Sequence, residues 1–220
     1  MKNDSTIDLY RKHYGDFEFE RVGLFKFISE NYAYGEVLYP GCFIHITPSF
    51  YFPHMVYVDK DPIAADFFAN QVDVLQFVNR HKKYKRSAYI QFIACDYLQE
   101  MSLAKGQFDI LIALYAGGIA HACKKYLKTG GILITNNFHK DAENAVLDDE
   151  YQLISVLHRN KKTYAPVHKD SNHLVDSLKK ANITKYIRQT SQGIEYTEPD
   201  DYFIFRKRNA KEKLATPKAG

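Results

Sequence analysis

VLYPGCFIHITPSFYFPHMVYVDKD, residues 37–61, is the stretch whose reading decides the fold. It holds two brief apolar runs that each stop at a polar or glycine-containing turn. Val37-Leu38-Tyr39 runs into Pro40-Gly41-Cys42, and Met55-Val56-Tyr57-Val58 runs into Asp59-Lys60-Asp61. Each reads as a short buried strand. Between them Pro48 and Pro53 limit any helix to a short one. Gly41 allows close approach of the backbone to a ligand, and Asp59 follows eighteen positions later (59 − 41).

Working outward, residues 5–14 and 16–32 read as helices, with Asp16 as N-cap of the second and Phe19, Val22, Phe25, Ile28 and Tyr32 at helical spacing. Gly35 breaks that pattern before a first strand at 36–39. A second strand covers 55–59, a helix 62–79 starts at Pro62, and a third strand runs from Ala88 to Ala94. A short helix or loop occupies 97–105. Phe108-Asp109-Ile110-Leu111-Ile112-Ala113-Leu114 is a nearly continuous apolar run, the mark of a strand buried on both faces. Gly117-Gly118 opens a helix at 119–127, and Gly130-Gly131 closes it before a fifth strand, Ile132–Thr135. A short helix at 141–149, a strand at 151–158, a helix at 170–181 and a strand Tyr202–Arg206 complete the pattern.

Strands that alternate with helices give a mostly parallel sheet covered on both faces. The expected architecture is an α/β, Rossmann-like three-layer sandwich with a mostly parallel seven-stranded sheet whose last strand is antiparallel. Residues 1–35 are expected to be helices packing on the core, 36–208 the Rossmann-like domain, and 209–220 a basic, disordered tail.

The bulk properties fit one soluble domain: 220 residues, 45% hydrophobic and 25% charged. The 17 Tyr and 15 Phe suit core and pocket lining. A net charge of +4 permits an anionic partner without demanding one. Cys42, Cys95 and Cys123 form no CxxC pair, which reads as reduced thiols in the cytoplasm. The N-terminus has no apolar segment of signal-peptide type, and no apolar run is long enough for a membrane span.

In sheets of this kind ligands bind at the carboxyl ends of the strands. Those ends carry Tyr39-Pro40-Gly41-Cys42, Asp59-Lys60-Asp61, Asp96-Tyr97, Tyr115-Ala116-Gly117-Gly118 and Asn136-Asn137-Phe138-His139. Asp59 stands about where a Rossmann-type site places the carboxylate for the ribose hydroxyls. A dinucleotide needs a GxGxxG turn for its pyrophosphate, and this chain has only Gly41 there, followed by Phe43-Ile44-His45. GxxxxGK[ST] is absent, which excludes a P-loop. S-adenosylmethionine carries no phosphate. It needs one close backbone approach, one carboxylate for the ribose diol and one acceptor for the adenine amine, and Gly41, Asp59 and Asp96 supply these in chain order.

VLYPGC at 37–42, VYVDKD at 56–61, ACDYL at 94–98, FDILIALYAGG at 108–118 and LKTGGILITNN at 127–137 resemble the class I SAM-dependent methyltransferase family, and DYFIFRKR at 201–208 resembles its last, antiparallel strand. The resemblance spans roughly residues 16–208. The family usually has an acidic residue where this chain has Tyr39, and small residues where it has His45 and Thr47. The resemblance implies S-adenosylmethionine as cofactor. It implies a cofactor site that includes Tyr39, in which Gly41 and Cys42 line the methionyl part, Asp59 takes the ribose with Lys60 beside the adenine, Asp96 and Tyr97 meet the adenine, and Leu114 and Tyr115 sit near the sulfonium. It implies transfer of a methyl group to an acceptor, a small molecule being favoured. By position in the fold, His139 is the candidate base with Asp141 as its orienter, and Tyr115 the candidate acceptor contact.

Other features have plainer readings. His45 and His54 flank Phe50-Tyr51-Phe52 without further ligands at metal spacing, and read as ordinary hydrogen-bonded or exposed histidines. Cys42 reads as a small buried residue. The run Arg80-His81-Lys82-Lys83-Tyr84-Lys85-Arg86 reads as a solvated surface, or as a grip on a nucleic-acid backbone. Two alternatives to the enzyme therefore stay open: a catalytically inactive methyltransferase-like binding or scaffold protein, and a nucleic-acid-binding module using residues 80–86.

Overall fold

A computed structural model of the chain describes residues 5–16, 20–114, 116–166, 187–190, 193–196 and 201–209. Two helices, α1 (Thr6–Tyr10) and α2 (Val22–Asn31), precede β1 (Val37–Pro40). Then come β2 (His54–Asp59), α3 (Pro62–Ala69), α4 (Gln71–His81), β3 (Tyr89–Ala94), β4 (Phe108–Ala113), α5 (Ile119–Ala122), β5 (Leu127–Thr135), α6 (Asp141–Leu147), β6 (Tyr151–Asn160) and β7 (Thr163–Pro166). A small separate ribbon, β8 (Ile187–Thr190) with β9 (Gly193–Tyr196), precedes β10 (Asp201–Lys207).

The main sheet has the order β3-β2-β1-β4-β5-β10-β6-β7. Strands β1 to β5 pair in parallel, and β10 enters antiparallel between β5 and β6. The sheet reverses its winding between β1 and β4, and at such a switch point the loops on either side part to leave a crevice. The architecture is the expected Rossmann-like α/β sandwich with one strand more than the expected seven. The turn at Lys161, at φ 56, folds the chain back so that β7 pairs along the outer edge of β6.

Each strand shows which face it supplies. Val37, Tyr39, Ile110, Ile112, Ile132 and Ile134 join a core shared with α1, α2 and α4, while Leu38, Leu111, Leu133 and Phe203 join a second core under α5 and α6. Strands buried on both faces read as unbroken apolar runs, which is why β4 was legible in sequence. Much of the aromatic content fills the first core, with Tyr10, Tyr39, Phe52, Tyr57, Phe67, Phe68 and Phe77 all buried.

Several local expectations need correction. Helix 62–79 is two helices, because Asn70 leaves the helical region at ψ 56 and its side-chain amide bonds back to the Asp66 carbonyl. Asp16 does not cap the second long helix; that helix starts at Val22, after Arg21 turns left-handed at φ 55. Val22 is consequently exposed, and Leu24 joins Phe25 and Ile28 on the buried face. Gly130-Gly131 lies inside β5 rather than before it. Gly130 takes φ 82, and the register with β4 jumps from Phe108–Leu127 to Ile110–Ile132, so the glycines form a bulge in one long strand. Residues 97–105, expected as a short helix or loop, are a loop. The expected helix at 170–181 and the tail from 210 onward lie outside the described residues, as do Phe19 and Tyr115.

Among the described residues no helix is long and apolar enough to cross a membrane.

Candidate functional site

The crevice is built from the turns that follow β1, β2, β3, β4 and β5. The first turn is set by backbone conformation. Gly41 has φ 62, and a Cβ there would stand 2.4 Å from Ala116 Cβ and 3.4 Å from Tyr97 Cε1. Only a residue without a side chain fits between the first and fourth turns at this height. Phe43, two residues on, is also left-handed at φ 48. The turn thus keeps two left-handed residues in alternation although only one of them is glycine. Sequence reasoning placed the departures from a glycine-rich turn at His45 and Thr47; the residue that takes the strained conformation is Phe43. Its signal was its place two residues after Gly41.

Asp59 holds this turn. Its Oδ2 accepts the Phe43 N–H at 2.7 Å and its Oδ1 accepts the Asp61 N–H at 2.9 Å. Each oxygen keeps a further lone pair, and the residue remains half-buried rather than sealed. Asp96, at the end of β3, is arranged in parallel fashion. Its Oδ1 accepts the Leu98 N–H at 3.0 Å, and its Oδ2 pairs with Lys60 Nζ at 3.0 Å. The Leu98 amide, and then Lys60, hold the Asp96 carboxyl below its usual range. Tyr97 reaches across the crevice, donating its hydroxyl to the Gly117 carbonyl at 3.0 Å. Burial, followed by the charges of Asp141 and Asp96, raises its phenol.

Gly41, Asp59, Lys60, Asp96 and Tyr97 therefore meet at one rim. Tyr39, Cys42 and Leu114 belong to it by chain position, but they are buried at its base, at 2%, 1% and 1% exposure. Cys42 lies under the turn with its thiol toward the Val58 carbonyl, and burial, then the Asp59 charge, raises its pKa well above the usual thiol value. A thiol kept protonated and enclosed is no nucleophile.

Tyr39 takes part in a relay that the sequence did not reveal. Its hydroxyl meets His45 Nδ1 at 3.1 Å, and His45 Nε2 meets the Glu20 carbonyl at 3.1 Å. Burial, and then the Arg21 charge, holds His45 well below the usual imidazole range, so the ring is neutral. A carbonyl only accepts, so Nε2 carries the proton and Nδ1 accepts from Tyr39. Tyr14 stacks on the His45 ring at 4.5 Å, and His13 meets Phe43 edge-on at 5.2 Å. The segment after α1 thus roofs the turn after β1. His45 is the hydrogen-bonded histidine expected of it, with a core role.

On the acceptor side, His139 is exposed and packs on Gly117, where a Cβ would lie 3.1 Å from His139 Cβ. Asp141 is buried and accepts the Ala120 N–H at 3.2 Å, with further support from the Gly118 and Ile119 amides. Burial raises the Asp141 carboxyl, while these amides and the nearby His139 charge oppose that rise. Asp141 therefore ties the start of α6 to the start of α5, with His139 on the rim above it. Asn136 completes the group: buried at 2% exposure, it accepts the Phe138 N–H on Oδ1 at 3.1 Å.

Away from the crevice, the 80–86 run is partly anchored. His81 stacks against Phe50, Tyr84 donates to the Ser49 carbonyl, and Lys82 Nζ caps the Arg86 carbonyl, while Arg80, Lys83, Lys85 and Arg86 are exposed. Among the described residues no group of three or more His, Cys, Asp or Glu is placed to hold a metal ion.

No family model matches this chain, and no curated protein does. Solved structures do resemble it. A geranyl diphosphate C-methyltransferase from Streptomyces coelicolor A3(2) is similar at 12% identity over 86% of this chain and 83% of that one, with a TM-score of 0.50. The N-methyltransferase NodS from Bradyrhizobium japonicum WM9 is similar at 16% identity over 89% of this chain and 99% of that one, with a TM-score of 0.43. At such identities the likeness concerns the fold, which is that of a class I methyltransferase.

Proposed function

We propose that this protein is an S-adenosylmethionine-dependent methyltransferase acting on a small-molecule acceptor. The observation that carries the reading is the meeting of Gly41, Asp59 and Asp96 at the ends of β1, β2 and β3, three neighbouring strands on one side of the switch point. The donor set fits this cofactor. Two carboxylates with lone pairs to spare suit a ribose diol and an adenine amine. A backbone open at Gly41 suits the methionyl part, and the turn has no cluster of glycines to cradle a pyrophosphate. The Streptomyces coelicolor protein of the same fold was crystallised with S-adenosyl-L-homocysteine, which supports the same cofactor class here.

When bound, the cofactor supplies an electrophilic methyl group on a sulfonium. The protein's part is positioning and proton handling. Asp59 and Asp96 hold the nucleoside, the Leu98 amide and then Lys60 favour the ionised Asp96, and Tyr97 closes the crevice by its bond to the Gly117 carbonyl. Tyr39 and Cys42 support the turn from beneath, and Leu114 makes the apolar base. His139, exposed on the rim and beside the Asp141 charge, takes a proton from an acceptor in this reading, and Tyr115 stays the candidate acceptor contact by chain position alone.

Isothermal titration of the full chain with S-adenosylhomocysteine, with NAD as control, tests the proposal. Saturable micromolar binding of the first alone supports it. Binding of neither removes it in favour of a scaffold role.

A further inference from the structure

Strand β3 ends the sheet on one side and leaves its outer edge bare. Among the described residues no strand pairs beyond it. Its inner edge fixes which groups face outward. The Tyr89 N–H donates to the Pro53 carbonyl at 2.7 Å and the Cys95 N–H to the Asp59 carbonyl at 3.1 Å, so residues 89, 91, 93 and 95 turn their backbone toward β2. Ala88, Ile90, Phe92 and Ala94 turn theirs outward. Among the described residues these outward groups have no hydrogen-bond partner.

The usual protections of an edge are missing from this one. A proline, a charged side chain, a bulge or a covering element keeps an edge strand from pairing with another chain. Tyr89-Ile90-Gln91-Phe92-Ile93-Ala94 has neither proline nor charge, and its register with β2 runs unbroken. The segment that follows, 97–105, is a loop rather than a covering helix, and Tyr89 is 51% exposed, with Gln91 exposed beside it. The opposite edge of the sheet is protected. There β7 has four residues, follows Lys161-Lys162 and ends at Pro166.

Charge selects the direction of a partner strand. Lys83, Lys85 and Arg86 are exposed before the start of β3, whereas Asp59, Asp61 and Asp96 stand where β2 and β3 end, with Lys60 between them. A parallel copy would set like charges together, and an antiparallel copy sets the basic end against the acidic one. Backbone geometry then selects the register. Residues that exchange hydrogen bonds across an antiparallel pair must both face outward. The alignment that pairs all four outward residues sets Ala88 opposite Ala94 of the second copy, and Ile90 opposite Phe92 of the second copy. Gln91 then meets its own copy on a two-fold axis. Tyr89 lies against Ile93 of the second copy, on the face that the loop leaves open, and Arg86 stands opposite Asp96 of the second copy.

We propose that two copies of this chain pair antiparallel through β3, with Gln91 on the axis, and join their sheets into one. The pairing stands independently of the methyl-transfer reading. It brings Arg86 of each copy to the Asp96 rim of the other.

Sedimentation equilibrium of the full chain, from micromolar concentration upward, tests the proposal. Wild type is expected at twice the mass of one chain. Gln91→Lys sets two ammonium groups face to face on the axis, and Gln91→Glu sets two carboxylates there. Because Gln91 is exposed, both variants should fold, and each should weaken the dimer by about tenfold or more. An equimolar mixture of the two should recover the dimer, a rescue that misfolded chains would not give. Ala94→Pro removes one outward N–H, which a bare edge tolerates and a paired edge does not. It should keep the wild-type circular dichroism and lose the dimer. A monomeric wild type overturns the proposal. So does a dimer that survives both Gln91→Lys and Ala94→Pro, since its interface then lies elsewhere. A mixture that stays monomeric overturns the register with Gln91 on the axis.

Discussion

The Phe43 amide and the Asp59 carboxylate are joined by a 2.7 Å hydrogen bond, and through it the end of β2 holds the turn after β1 in a conformation that its own sequence does not favour. Asp59 is thus committed to the fold before any ligand arrives, and still has acceptor capacity to offer.

That double duty separates two substitutions. Asp59→Ala removes both acceptors and leaves the Phe43 and Asp61 amides without them, at about 1–3 kcal/mol. Asp59→Asn keeps one accepting oxygen and should lose about half as much, on the same scale. Both should weaken S-adenosylhomocysteine in titration, Asp59→Ala the more. Undiminished affinity in Asp59→Ala would remove the ribose assignment while leaving the stability loss intact.

Phe43 gives a reversal of the ordinary order of small residues. At φ 48 a residue with a Cβ is strained by about 1–2 kcal/mol, and glycine is not. Phe43→Ala keeps that strain and loses the ring packed against His13, whereas Phe43→Gly loses the ring and the strain together. Urea denaturation should find Phe43→Gly more stable than Phe43→Ala by about 1 kcal/mol. The usual order, alanine above glycine, would show that residue 43 is not left-handed in solution.

Gly41 admits no side chain. Gly41→Ala meets Ala116 at 2.4 Å and takes φ 62, so the first and fourth turns must separate. A loss of more than about 2 kcal/mol is expected in thermal or chemical melts. Binding of S-adenosylhomocysteine should be lost in whatever fraction stays folded. A melt equal to wild type would mean that the two turns stand further apart than described.

His45 makes stability depend on acid. Its folded pKa is depressed below the ordinary 6.5 by burial, so the unfolded chain binds the proton more readily. Its contribution is fully present above that unfolded value and is lost as pH falls below it toward the folded value. His13, lowered by burial and by Lys12, acts in the same direction. Denaturation midpoints at pH 7.5, 6.0 and 5.0 should therefore decline, and His45→Gln should flatten the decline without abolishing it. An identical pH slope in wild type and His45→Gln would show that His45 does not carry the dependence.

What sequence could deliver follows from which contacts are local. The apolar runs of β1 and β4 stop at turn residues, and a short unbroken apolar run between turn residues is enough to find them. That Gly41, Asp59 and Asp96 share a rim follows from a parallel sheet, since equal strand ends lie at equal heights. The ties between distant segments left no such trace. Tyr39, His45 and Glu20 form their relay through the roof after α1, and nothing in the spacing of 20, 39 and 45 marks it. The bulge at Gly130 imitates a helix stop, because the same dipeptide serves both. Asn70 breaks a helix whose apolar spacing runs through the break without a pause.

The position of β10 bears on how the chain comes off the ribosome. Its residues fill the gap between β5 and β6, yet β5 ends at 135 and β10 begins at 201, a delay of 66 residues (201 − 135). At about 5–20 residues per second, that delay amounts to roughly 3–13 seconds of synthesis. Throughout it the apolar edge of Ile132–Ile134 has no neighbour on one side and can recruit a strand from any chain nearby. A chain truncated before residue 201 would make that interval permanent, so it should yield aggregates rather than a shortened folded protein.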